Sequence, residues 1–74
     1  MAKPTSLGER LIELRGDRSQ SEWARQLGLG QQSISQWEAD AGHPHINSIV
    51  IITEHEEVNL NWLVNGNGPK TNDE

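Results

Sequence analysis

SQSEWARQLGLGQQSISQWE, residues 19–38, reads as two short helices joined by a tight turn, the first over 20–27 and the second over 31–40. Ser19 and Glu22 stand at the S-x-x-E spacing of a capping box, in which hydroxyl and carboxylate satisfy the backbone donors that open a helix. Gly28 suits the left-handed position that closes one. The inward residues follow a helical period: Trp23, Ala24 and Leu27, then Leu29 in the turn, then Ile34 and Trp37. Ala24 is small where two helix backbones must approach. The outer face of the second helix carries Gln31, Gln32, Ser33, Ser35 and Gln36. These side chains are uncharged and both donate and accept hydrogen bonds, which is the chemistry that reads base edges in a DNA major groove. The plainer alternative is a solvated polar face; the clustering of glutamines favours readout.

The 74-residue chain around this stretch has room for one domain with a modest core. It has no cysteine, hence no disulfide framework and no thiolate metal site. No apolar run approaches the roughly 20 residues of a membrane span, and no signal peptide opens the chain, so the expected place is the cytoplasm. The net charge of −5 is unusual for a nucleic-acid-binding domain, which is commonly basic. The excess is uneven: residues 54–74 set Lys70 against Glu54, Glu56, Glu57, Asp73 and Glu74, while residues 1–53 are nearly balanced. Few phosphate ion pairs are expected, hence weak non-specific binding and a shallow salt dependence.

The remaining segments also read as helical. Ser6 and Glu9 form a second capping box for a helix over 7–15, with Leu7, Leu11 and Leu14 on one stripe. A fourth helix over 46–56 is rich in β-branched residues that alone would suit a strand; its helical context overrides that, and Ile46, Ile49 and Ile52 form the inward set. Asn59 caps a short fifth helix containing Leu60, Trp62, Leu63 and Val64, which Gly66 ends. Residues 1–5 read as a flexible arm, 6–66 as the folded domain, and 67–74 as a disordered tail or the start of a linker. Gln20 stands beside the amides at the start of the second helix, a ready site for a phosphate. Trp23 belongs to the core rather than to a stacking platform. His43 and His45 can gain charge near pH 6 and then face phosphate. With His55 they are three imidazoles, but no local spacing assembles a metal site.

The pattern S-Q-x-E-x-A-x-x-L-G followed by Q-Q-S-I-S-x-W-E resembles the helix-turn-helix of the phage-repressor and Cro-like DNA-binding domains. The Gln31-Gln32-Ser33-Ile34 run with Gln36 is close to the recognition helix of certain lambdoid phage repressors. The resemblance covers residues 7–68, through Pro44 to the NLNWLVNGNG stretch, and implies an all-α, compact five-helix bundle. It implies base readout by Gln31, Gln32, Ser33 and Gln36, with Gln20, Ser35 and His43 on the DNA backbone. Arg15 matches a position whose guanidinium pairs with the glutamate closing the recognition helix, here Glu38, and the fifth helix a dimer contact, here Leu60 and Val64. The chain departs from the family pattern at several places. Arg18 replaces a leucine and is expected at the surface, with an added phosphate contact as the alternative. Gly30 replaces a Ser or Thr cap. Asp40 replaces a Gly or Asn, where it would repel phosphate. Ile51 replaces a polar residue. Glu56 and Glu57 replace an apolar residue and a glycine, so the end of the fourth helix is expected to be loose or reshaped.

Three function classes follow. The first is a repressor that binds a palindromic operator as a homodimer, with double-stranded DNA as its partner and no cofactor, metal, membrane or small-molecule substrate. The second is a protein-interaction module on the same fold, of antitoxin-like or regulator-binding kind, supported by the net charge, Asp40 and the apolar fourth helix. The third, an enzyme, lacks both a nucleophile–base pair at recognisable spacing and a glycine-rich phosphate loop.

Overall fold

A computed structural model describes residues 6–71. Five helices follow in order: α1 (Leu7–Arg15), α2 (Gln20–Leu27), α3 (Gln31–Glu38), α4 (Ile46–Glu56) and α5 (Leu60–Asn65). The fold is all-α, and the β-type pairing among the described residues is a single antiparallel bridge between Val58 and Thr71. The expected arm at residues 1–5 and the last three residues of the expected tail lie outside the described residues.

The helix limits are set by local chemistry. At α1 the Ser6 hydroxyl accepts from the Glu9 N–H at 3.0 Å and the Glu9 carboxylate accepts from the Ser6 N–H at 3.1 Å, completing the box. At α2 only half of the expected box forms: Ser19 Oγ accepts from Glu22 N–H at 3.1 Å, while the Glu22 side chain stays exposed in water. The third helix stops at Glu38, two residues before the expected limit, because Asp40 takes a left-handed conformation with φ of 57°.

Leu11, Trp23, Ile34, Ile52 and Leu63 are fully buried at the centre, ringed by Leu14, Ala24, Leu27, Trp37, Ile49, Val58 and Trp62.

 Ile52 thus joins α4 to the centre, and Thr53 is buried beside it. The inward set of α4 is Ile49, Ile52 and Thr53, and Ile46, expected among them, is 63% exposed. Pro44, two residues before the helix, takes the buried place at its entrance. Val50 and Ile51 also face outward.

Residues 67–71, expected beyond the folded unit, run back against it. The Asn59 N–H donates to the Lys70 carbonyl at 2.7 Å, and Lys70 Nζ pairs with Glu13 at 2.7 Å while lying over the Trp62 ring. Arg10, on the same stripe of α1 as the leucines, is buried; its Nε donates to the Leu63 carbonyl at 2.7 Å and its Nη2 to that of Val64 at 3.1 Å. This guanidinium satisfies carbonyls at the end of α5, which a helix of six residues otherwise leaves to solvent.

Candidate nucleic-acid interface

The turn between α2 and α3 is built by Gly28, whose φ of 74° and ψ of 27° place it in the left-handed region. The Leu29 N–H then donates to the Ala24 carbonyl at 2.9 Å, closing the end of α2. Gly30 caps α3 through its backbone alone, with no side-chain hydrogen bond. Ile34 and Trp37 turn inward, so the helical period leaves Gln31, Gln32, Ser35 and Gln36 exposed on the outer face and Ser33 half-buried at its edge. Among the described residues, none of these five side chains has a hydrogen-bond partner within the chain, so their donors and acceptors are all available.

The far end of α3 is held firmly. Arg15 Nε and Nη2 donate to the two carboxylate oxygens of Glu38 at 2.7 and 3.0 Å, a bidentate pair in which the Glu38 side chain is only 4% exposed. The hydrogen bond that Arg15 donates to Glu38 raises the Arg15 pKa above its ordinary value, so the guanidinium stays charged. Arg15 Nη1 also donates to the Arg18 carbonyl at 2.8 Å. Gln20 joins this cluster, its Nε2 donating to Glu38 at 2.8 Å. The side chain set aside for phosphate therefore also ties the start of α2 to the end of α3, leaving its Oε1 and one N–H uncommitted.

A second anchor lies just beyond. The Gly8 N–H donates to Asp40 Oδ1 at 3.0 Å, across the start of α1. A Cβ on Gly8 would come within 2.6 and 2.7 Å of the Glu38 and Trp37 carbonyl oxygens, so only glycine allows this approach. Sequence reasoning missed Gly8, although a glycine in the first turn of a helix is a signal of close contact. The Asp40 carboxylate, expected to face phosphate, is drawn to the positive end of α1.

Arg18 and Glu56 bear on two expectations. Arg18 is not a plain surface residue: its Nη1 and Nη2 donate to Glu56 at 3.1 and 3.0 Å, and its guanidinium lies 5.6 Å from the Trp23 ring centre. Of the two outcomes expected for the end of α4, loose or reshaped, it is the second, since Glu56 also accepts from Trp23 Nε1 at 2.8 Å and approaches His55 Nδ1 at 2.9 Å. The buried indole needs a partner for its N–H, and Glu56 supplies it. Burial by itself would raise the Glu56 pKa. Hydrogen bonds from Arg18, Trp23 and His55, with the Arg18 charge, outweigh it and hold the carboxyl below its ordinary value. Glu57 reshapes the end of the helix, taking a left-handed φ of 57°.

These contacts consume most of the positive charge. Arg10, Arg15, Arg18 and Lys70 all have partners, and among the described residues Arg25 on α2 is the cation left free. His43 is exposed in the loop after α3, and Leu60 and Val64 are exposed on α5. No group of three or more metal-ligating residues comes together among the described residues, and no helix there is long and apolar enough to cross a membrane.

Two helices joined by a left-handed glycine, the second presenting uncommitted polar side chains, define a helix-turn-helix domain of the DNA-binding regulatory class. The chain matches the bacteriophage CI repressor helix-turn-helix domain over residues 8–71 and belongs to that family. No curated protein and no solved structure matches it significantly.

Proposed function

We propose that this domain is a sequence-specific repressor that binds a palindromic operator as a homodimer, in the cytoplasm of a bacterial or phage-infected cell. The carrying observation is the outer face of α3, where Gln31, Gln32, Ser35 and Gln36 are exposed and, among the described residues, unpaired. Placed in a major groove, the two adjacent glutamines reach base edges, with Ser33 and Gln36 in support; a glutamine amide matches adenine N6 and N7. Gln20, Ser35 and His43 contact the sugar–phosphate backbone. Gln20 does so through the groups that Glu38 leaves uncommitted, beside the free amides that open α2. Leu60 and Val64 meet their counterparts across a two-fold axis, which places two α3 helices on half-sites about one helical turn apart. Repression then needs no chemistry, only occupancy of DNA that polymerase requires.

Selection from a random duplex library at low salt tests this reading, with the double variant Gln31→Ala/Gln32→Ala as control. A palindromic consensus that the double variant fails to enrich supports operator recognition by α3. Absence of enrichment favours a protein-interaction module, to which the outward Ile46, Val50 and Ile51 of α4 would then belong. Leu60→Asp or Val64→Asp is expected to shift sedimentation toward the monomer and to weaken cooperative binding; unchanged sedimentation removes α5 from the dimer contact.

A further inference from the structure

Two Asn-Gly pairs follow one another at the end of α5, Asn65–Gly66 and Asn67–Gly68. This dipeptide carries its own chemistry. The glycine backbone nitrogen, unshielded by a side chain, attacks the asparagine Cγ. A new N–Cγ bond forms, the Cγ–Nδ2 bond breaks, and ammonia leaves with the proton given up by the attacking nitrogen. Water then opens the cyclic imide at either carbonyl, giving aspartate or isoaspartate. The reaction needs a free glycine N–H and an asparagine backbone able to leave the helical ψ, which keeps the nitrogen away from Cγ.

The fold treats the two pairs differently. Asn65 is the last residue of α5, and its Nδ2 donates to Asn61 Oδ1 at 3.2 Å. The Gly66 N–H is committed to the Trp62 carbonyl at 2.8 Å. Arg10 covers the site: a Cβ on Gly66 would lie 3.0 Å from its Nη1. Asn67 is outside any helix and exposed, and among the described residues neither its side chain nor the Gly68 N–H has a hydrogen-bond partner. Gly68 has φ of 78°, and no atom lies within 4 Å of where its Cβ would be, so water reaches the reacting atoms.

We infer that Asn67 is a site of spontaneous deamidation, and that Asn65, two residues earlier, is protected by the end of α5 and by Arg10. Conversion adds a negative charge to an already acidic chain. The isoaspartyl form also inserts a methylene into the backbone ahead of Lys70, whose carbonyl holds Asn59 and whose ammonium holds Glu13.

The test is a time course of the purified chain at mildly alkaline pH and body temperature, in buffer and in urea. Peptide mapping reads the mass gain of the amide-to-acid exchange, and isoaspartate is quantified by methyltransferase labelling. In buffer, Asn67 is expected to convert at least about tenfold faster than Asn65, equivalent to about 1.4 kcal/mol of local opening at the helix end. In urea the two rates should converge. The acidic isoform should vanish in Asn67→Gln, whose longer side chain disfavours the five-membered ring, and persist in Asn65→Gln. Equal rates in buffer, faster conversion at Asn65, or conversion of Asn67 only in urea would each overturn the inference.

Discussion

The last turn of α3 and its outer face use polar side chains in opposite ways. At its C-terminal end, Glu38 is buried and takes three hydrogen bonds from Arg15 and Gln20. Along its outer face, Gln31, Gln32, Ser35 and Gln36 have no hydrogen-bond partner among the described residues. Gln20 and Gln26 on α2 resemble the former, one held on Glu38 and the other accepting from Arg18. A polar side chain that stabilises the fold is found paired, and one left unpaired on a rigid helix is available to a ligand. On the proposed reading, the division separates residues whose loss destabilises the domain from residues whose loss leaves it folded but unable to read DNA.

The sharpest way to break this contrast is at Arg15. Arg15→Ala leaves the Glu38 carboxylate buried without its cation, with an expected cost of about 3–5 kcal/mol. Urea unfolding should show a much lower midpoint, while the fraction still folded keeps most of its operator affinity. The reverse ranking would move Arg15 to the DNA side.

Glu56→Gln is expected to cost less, about 1.5–3 kcal/mol at neutral pH, by weakening hydrogen bonds to a charged group. Its pH dependence has a defined sign. The folded state lowers the Glu56 pKa, so its stabilisation is full above the ordinary glutamate value of about 4.3 and is lost as pH falls through the lower folded value. Acid unfolding of the variant should be flatter across that window. An unchanged acid profile would remove Glu56 from the stabilising network.

Gln32→Ala should cost about 1–3 kcal/mol on the operator and relax preference at one base position, with stability unchanged within about 0.5 kcal/mol. A loss of stability instead would show that the outer face is not free of structural duty. The smallest effect is expected at Arg25. If the free guanidinium reaches one phosphate, Arg25→Ala should flatten the slope of log affinity against log salt by about 0.9. An identical slope would place Arg25 in solvent away from the DNA.

What was legible in the sequence was local. Ser6, Ser19, Gly28, Asn59 and Gly66 stand within a few residues of the helix ends they define, so the limits of α1, α2 and α5 follow from capping and period. The α3 face was legible because Ile34 and Trp37 fix which side turns inward. The pairing of Arg15 with Glu38 came from the family pattern rather than from spacing. The contacts that were not legible join residues far apart in the chain. Arg10 with Leu63, Arg18 with Glu56, and Gly8 with Asp40 have no common local motif. Arg10 did leave one trace, a charge on the apolar stripe of α1, which signals a buried acceptor. Ile46 was misplaced because a helical period alone does not tell where the neighbouring elements end.

The seating of α3 by its last turn has a consequence for how such a protein changes over time. Gly8, Asp40, Arg15 and Gln20 fix the angle of the helix from behind and from its end, without drawing on Gln31, Gln32 or Gln36. The outer positions are therefore free to drift or to be redesigned one letter at a time. On the proposed reading, a new target sequence is reached without passing through an unfolded intermediate, as type is exchanged in a frame that stays locked.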